Sequence, residues 1–261
     1  MLNLSNTSLA NLVISIPPLS EQRRIVGVLE EAFESIVTAK ANAEKNLKNA
    51  RALFESYLQS VFTKRGKGWT EKTIGELAKH SLGKMLDKAK NKGEPQHYLR
   101  NVNVRWFNFD LSDLLEMRFL PEEAAKYTAV KGDVLVCEGG YPGRAAIWEA
   151  DYPIYFQKAI HRVRFHVPEH NRWFVYFLYS QDKNGELRQH FTGTGIQHFT
   201  GEALSRFQIP IAPLHELRRL VARFDKLAVE TQRLESTYRR KLAALDELKK
   251  SLLHKAFTGG L

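Results

Sequence analysis

The sequence predicts an α+β chain in which one mixed α/β domain is carried between two long antiparallel coiled-coil helices. Three observations lead there. The segment Leu9 to Thr63 recurs as Leu204 to Thr258 in unbroken register, with Ile16 and Ile211, and likewise Phe62 and Phe257, standing 195 positions apart. A constant offset with matching ends marks an internal repeat, and a repeat sets the architecture. Both copies then carry apolar side chains at alternating steps of three and four, while the stretch between them changes to short alternating runs.

The first copy enters its helix after Pro17-Pro18, with Ser20 as the expected N-cap. Its seam reads Val26, Leu29, Phe33, Ile36, Lys40, Ala43, Leu47, Ala50, Phe54, Tyr57 and Val61. The second copy follows Pro213 with Leu220, Phe224, Leu227, Thr231, Leu234, Tyr238, Leu242, Leu245, Lys249, Leu252 and Ala256. Heptads sustained this long indicate coiled-coil arms. Two steps of four around Tyr238 shift the register and predict local unwinding of the supercoil. About 42 residues at about 1.5 Å each make a rod of roughly 60 to 65 Å. Antiparallel pairing would place the intervening domain at one end of the hairpin.

Between the copies, Thr70 to His80 predicts a short helix, and Val102, Val104 and Trp106, alternating with Asn103 and Arg105, predict a half-buried strand. Gly132-Asp133 turns into Val134–Cys137, which Ala145–Trp148 answers across a Gly-rich loop, so a hairpin is expected. Val163, Phe165 and Val167 form one face of a further strand, with Arg162, Arg164 and His166 on the other. Arg172 to Gln181 predicts a buried aromatic helix. Thr200 is placed to cap a turn over Glu202 to Phe207.

A chain of 261 residues allows one large domain or two small ones. Its net charge of +10 favours a polyanionic partner, nucleic acid first and a membrane surface second. The single cysteine, Cys137, excludes an internal disulfide and a cysteine-built zinc site, and reads as a buried strand thiol. No stretch approaches the roughly 20 apolar residues of a membrane-spanning helix, and the N-terminus lacks a signal-peptide pattern, so a cytoplasmic protein with no membrane partner is expected.

Chemistry-bearing motifs are few. Gly139-Gly140-Tyr141-Pro142-Gly143-Arg144 lies between two strand-like runs and lacks the Gly-Lys-Ser/Thr and following helix of a phosphate-binding loop. Methyltransferase and zinc-protease signatures are missing, and His80, His97, His161 and His190 lack metal-ligand spacing. Asp133 and Glu138 alone do not make a nuclease. No catalytic residue, metal or cofactor is expected. The loops instead suit DNA contact: Tyr141 and Arg144 at the Gly-rich tip, and Gln197 and His198 in the Thr192–Thr200 stretch, carry groups that pair with base edges or phosphates. Lys84, Arg100, Asn103, Arg105, Gln157, Lys158 and Arg162 complete the candidate readers.

The repeated Ile-Pro-Pro/Ile-x-Pro-Leu-x-Glu-Gln/Leu-Arg-Arg block, followed by a long helix ending in Phe-Thr, resembles the specificity subunit of type I restriction-modification systems. Gly132-Asp133-Val-Leu-Val, the Gly-rich loop through Ile147, and Gly193 to Leu204 are similar to that family's target recognition domains. Leu217 departs from the pattern, standing where the first copy has Gln22. The resemblance implies a non-catalytic subunit that reads half of a bipartite site on double-stranded DNA. Its helices would dock methyltransferase subunits and, through them, the restriction subunit, with Arg23, Arg24, Arg218 and Arg219 as partner contacts. Methylation and ATP-dependent cleavage would belong to those partners. It further implies that residues 1–18 are the tail of a missing first recognition domain, 19–63 and 213–258 the conserved helices, 64–212 the recognition domain and 259–261 a tail. A homodimer would present two identical readers to a symmetric, interrupted site. A helical scaffold or inhibitor that binds the methyltransferase without reading DNA fits the same helices.

Overall fold

In the computed structural model, which describes residues 16–87 and 89–261, the chain opens on α1 (Leu19–Lys64), a helix of 46 residues. Its first turn begins earlier than the sequence predicts. The Pro18 carbonyl accepts from the amides of Glu21 and Gln22, at 2.9 and 3.0 Å, which draws Ser20 inside the helix and leaves it no capping role. The readings on residues 1–15 lie outside the described residues.

Residues 70–82 form β1 (Thr70–Thr73), α2 (Ile74–Leu77) and β2 (Ala78–Leu82), where one helix is expected. The cause is a capping box at Thr73. Its hydroxyl accepts from the Glu76 amide, and the Glu76 carboxylate accepts from the Thr73 amide at 2.8 Å, so a helix can begin only at Ile74. There follow β3 (Glu94–Leu99), β4 (Val104–Arg105), β5 (Asn108–Phe109), β6 (Leu115–Phe119), α3 (Ala124–Tyr127), β7 (Thr128–Ala129) and β8 (Val134–Cys137). The chain continues through β9 (Ala145–Ile147), β10 (Ile154–Phe156), β11 (Ile160–Phe165), α4 (His170–Lys183), α5 (Gly201–Arg206), β12 (Gln208–Ile211) and α6 (Leu214–Thr258), the last of 45 residues.

Two four-stranded sheets form the domain, in the orders β6-β3-β10-β7 and β2-β11-β8-β9. The expected hairpin is present, pairing Val134 with Ile147 and Val136 with Ala145. Of the expected strand over 102–106, only Val104–Arg105 is extended, as β4, paired with β5. Asn101–Asn103 is a 3₁₀ turn, with Asn103 and Val104 buried and Val102 exposed. Asn103 explains the reversal: its side-chain oxygen accepts from the Arg100 amide, and its nitrogen donates to the Asp110 and Asp113 carbonyls. Strand β11 buries Val163 and Phe165 as predicted. Thr200 caps α5 by accepting from the Ala203 amide.

The described residues divide into two compact units, 53–228 and the helical segments 16–52 with 229–261. In the helical unit, Lys40 pairs with Asp246 and Arg51 with Glu235, each at 2.7 Å, and Lys249 lies over the Phe33 ring. Partner numbers fall in α6 as they rise in α1, so the helices run antiparallel. Ile36 and Ala43 are buried along the predicted seam, whereas Val26 is half exposed. The Arg51 guanidinium lowers the Glu235 carboxyl below its ordinary pKa, opposed by partial burial.

In the larger unit, the same two helices meet α4. Phe62 packs edge-on against Trp173 and Phe177, with ring centroids 4.9 and 5.0 Å apart, and tilts against Phe224 at 5.8 Å. Leu58, also fully buried, joins this core although it lies off the predicted seam. Phe257, the repeat counterpart of Phe62, is 76% exposed. Replacing Phe62 by Ala therefore costs about 3 to 5 kcal/mol in urea unfolding, whereas Phe257→Ala changes stability by no more than about 0.5 kcal/mol. Equal losses would contradict this assignment of the core.

Candidate nucleic-acid interface

Four loops from distant parts of the sequence converge at one edge of the larger unit. Glu138, after β8, is the knot: its amide donates to the Ala159 carbonyl and its carbonyl accepts from the Phe199 amide, at 2.8 and 2.7 Å. The 157–159 and 192–199 loops are thereby fixed to the Gly-rich loop. Asn101 adds the fourth, donating its side-chain amide to the Gly139 carbonyl at 3.0 Å. The Asn101 carbonyl in turn accepts from Arg144 at 3.0 Å. Ala159 holds φ at 96°, a left-handed conformation costly for a residue with a Cβ, so backbone strain sits at this junction.

The candidate readers fall into three groups. Tyr141, Lys158 and Gln197 are exposed on the converging loops, with His198 and Gln157 partly exposed beside them. Arg144 is preorganised among them, its guanidinium 5.0 Å over the Tyr141 ring, while the Tyr141 hydroxyl donates to Asp182 at 3.0 Å. Thr192 and His198 exchange backbone bonds at 2.8 and 2.9 Å, which makes the 192–198 loop a closed tip carrying Gln197.

A second group is tied down beside the cluster. Arg100 donates to the Asp113 carboxylate at 2.6 Å, and Arg105 to Asp110 at 3.3 Å and to the Val102 carbonyl. Arg162 is spent on the Ala125 and Thr128 carbonyls, at 3.1 and 2.6 Å. The third group is internal. Lys84 is 8% exposed and ion-paired with Glu123, and Asn103 is 2% exposed with its amide fully engaged. Both build loops and present nothing to a ligand. The sequence does not announce Asn101 and Glu138 as organisers, because Glu138 acts through its backbone groups and the partner of the Asn101 amide lies 38 positions away.

Of the arginines expected at partner surfaces, Arg23 and Arg219 are exposed. Arg24 donates to Glu21 and to the Leu261 carbonyl, and Arg218 forks onto Glu169. Asp133 is buried and held by two 2.7 Å bonds from Arg164, which raise the guanidinium's pKa and leave this carboxylate no free role. Among the described residues, no group of three His, Cys, Asp or Glu side chains could hold a metal. Burial pushes the Cys137 thiol up to about 12, so it stays protonated as a strand residue.

His161 supports the same edge from beneath. It is 1% exposed, shares a bond of 3.1 Å with the Phe199 carbonyl through Nε2, and has no partner at Nδ1.

The sequence model of the family described as "Type I restriction modification DNA specificity domain" matches residues 66–243, and the chain belongs to that family. Two solved structures are similar in fold. One, described as the "structural basis underlying complex assembly and conformational transition of the type I R-M system", is 22% identical with a TM-score of 0.82, covering 98% of this chain and 64% of that one. The HsdS subunit from Thermoanaerobacter tengcongensis is 23% identical with a TM-score of 0.65, covering 98% and 63%. The chain thus spans under two thirds of the length of either. No curated protein gives a significant match.

Burial lowers the His161 pKa from 6.5 to about 4, opposed by its bond to Phe199. Between those values the unfolded chain binds the proton and the folded chain does not, so stability falls as pH drops from about 6.5 to about 4. Urea midpoints measured across that range should decline, and His161→Gln should flatten the decline. A slope unchanged by the substitution would remove His161 as its source.

Proposed function

We propose that this chain is a specificity subunit that reads one half of a bipartite duplex site and docks methyltransferase subunits along its long helices. The observation that carries the proposal is the convergence of four loops through Glu138 and Asn101, which gathers Tyr141, Arg144, Lys158, Gln197 and His198 on one edge. Arginine and glutamine pair with base edges, and lysine with phosphate, so the set combines readout with positioning. The net charge of +10 supplies the long-range attraction. In this reading the chain is non-catalytic and takes no cofactor, and methylation and cleavage fall to its partners.

A second reader supplied from outside the described residues belongs to the same reading. Ile16, Ile25, Val26, Leu29 and Phe257 line an open apolar cleft in the helical unit. Across the repeat they correspond to Ile211, Leu220, Val221, Phe224 and Phe62, which seat α4 in the larger unit. A homodimer or a separate recognition domain would bring a covering surface.

Selection of binding sites from a random duplex pool, with and without a methyltransferase subunit, tests the proposal. A defined half-site is expected. Arg144→Ala or Gln197→Ala then costs about 1 to 3 kcal/mol and relaxes preference at single positions, while Lys158→Ala weakens all duplexes and lowers the salt slope by about 1. No preference in either condition sinks the reading. Retained methyltransferase binding in that case would leave a helical scaffold.

A further inference from the structure

One exposed loop beyond the four already described combines apolar surface with positive charge. It leaves β2 at Gly83 and enters β3 after Gly93, and both ends are clamped. A side chain at Gly83 would collide with the Gln157 backbone, and Gly93 takes φ +99° hard against the Phe119 carbonyl, so only glycine fits either place. Next to the first clamp, buried Lys84 donates to the Arg118 carbonyl at 3.0 Å and pairs with Glu123. Burial opposes ionisation of Glu123, but the Lys84 ammonium and the Leu120 amide together hold its carboxyl below the ordinary range.

Between the clamps the described residues are set by their own polar groups. The Asp87 carboxylate accepts from the Ala89 and Lys90 amides, at 3.1 and 3.2 Å, and the Asn91 side chain donates to the Met85 carbonyl at 3.1 Å. This turn holds Met85 and Leu86 outward, 58% and 48% exposed, with Lys90 and Lys92 exposed nearby. Asp87 accepts bonds from its own turn and stands 3.7 Å from Lys90, whose side chain is 86% exposed, so this loose, solvent-screened pair offsets only part of the lysine charge and leaves both lysines open to a ligand.

We infer that this loop is a further contact with duplex DNA, in which Met85 and Leu86 press against a base step and Lys90 and Lys92 meet the flanking phosphates. The inference rests on the DNA-reading proposal. Exposed apolar side chains alone would suit a protein partner equally well. Two features favour DNA: the lysines beside them, and the root of the loop, where the Lys84 carbonyl accepts from the Lys158 amide at 2.7 Å and so continues the edge formed by the reading loops. Apolar side chains wedged at a step, flanked by cations on the backbone, are a recurrent way of unstacking and bending a duplex.

The test uses the full chain and a duplex selected from the random pool, with 2-aminopurine placed at successive positions. Met85→Ala combined with Leu86→Ala is expected to weaken binding about tenfold, leave the salt slope unchanged and remove the fluorescence rise at one step. Lys90→Gln with Lys92→Gln is expected to lower the salt slope by about 2. If both pairs bind like the parent while Arg144→Ala relaxes sequence preference, the inference falls and the DNA-reading proposal stands. A parent without sequence preference removes both. Intact DNA affinity with lost methyltransferase binding in the Met85/Leu86 variant also overturns the inference, assigning the patch to a protein.

Discussion

The ring contacts of Phe62, Trp173 and Phe224 are the constraint on which the larger unit depends. They join α1, α4 and α6 within that unit, and each ring is almost wholly withdrawn from water. Polar bonds around them fix direction as well as contact. The Trp173 indole donates to the Pro210 carbonyl at 2.7 Å, Tyr176 donates to Asp225 at 2.6 Å and Tyr179 to Glu55 at 2.9 Å. Helix α4 is thus held at its start and middle, and near its far end Asp182 accepts the hydroxyl of Tyr141 in the Gly-rich loop. The helix that secures the core also orients the Gly-rich loop.

Two kinds of support meet at that edge. Bonds from the Glu138 backbone and the Asn101 side chain fix the paths of the loops, whereas Tyr141, Lys158 and Gln197 stay exposed. Frame and exposed surface are thus built from different residues. Residues such as Lys84 and Asn103 belong to the frame, although their types are those of readers.

Much of the architecture is legible in the residues because it depends on periodicity. The repeat, the seam through Ile36 and Ala43, the Val134 to Ile147 hairpin, the Thr200 cap and the α4 helix all follow from local pattern, and the structure contains each. The departures arise where specific side-chain bonds or a distant partner override that pattern. Thr70 to Thr73 becomes a strand by pairing with Gln208 to Ile211, and the Val102 to Trp106 alternation yields to the three bonds of the Asn103 amide. At the site, the Gly-rich and 192–200 loops were legible from composition. Which charges remain outside was not, since Lys84 finds Glu123 39 positions away.

The antiparallel pairing of the long helices also sets an order of assembly. Arg51 and Glu235 are 184 positions apart, and Lys40 and Asp246 are 206 apart, so α1 leaves the ribosome long before α6 exists. At about 5 to 20 residues per second, the delay is roughly 10 to 40 s. During it the side chains of Ile36 and Ala43 have no seam to close, whereas residues 53–228, which include both helix roots, are complete before Glu235 and Asp246 are made. Closure then proceeds as a zipper over a loop whose entropy has already been lost. The unit that holds both helix roots is thus synthesised in full before the seam beyond it can close.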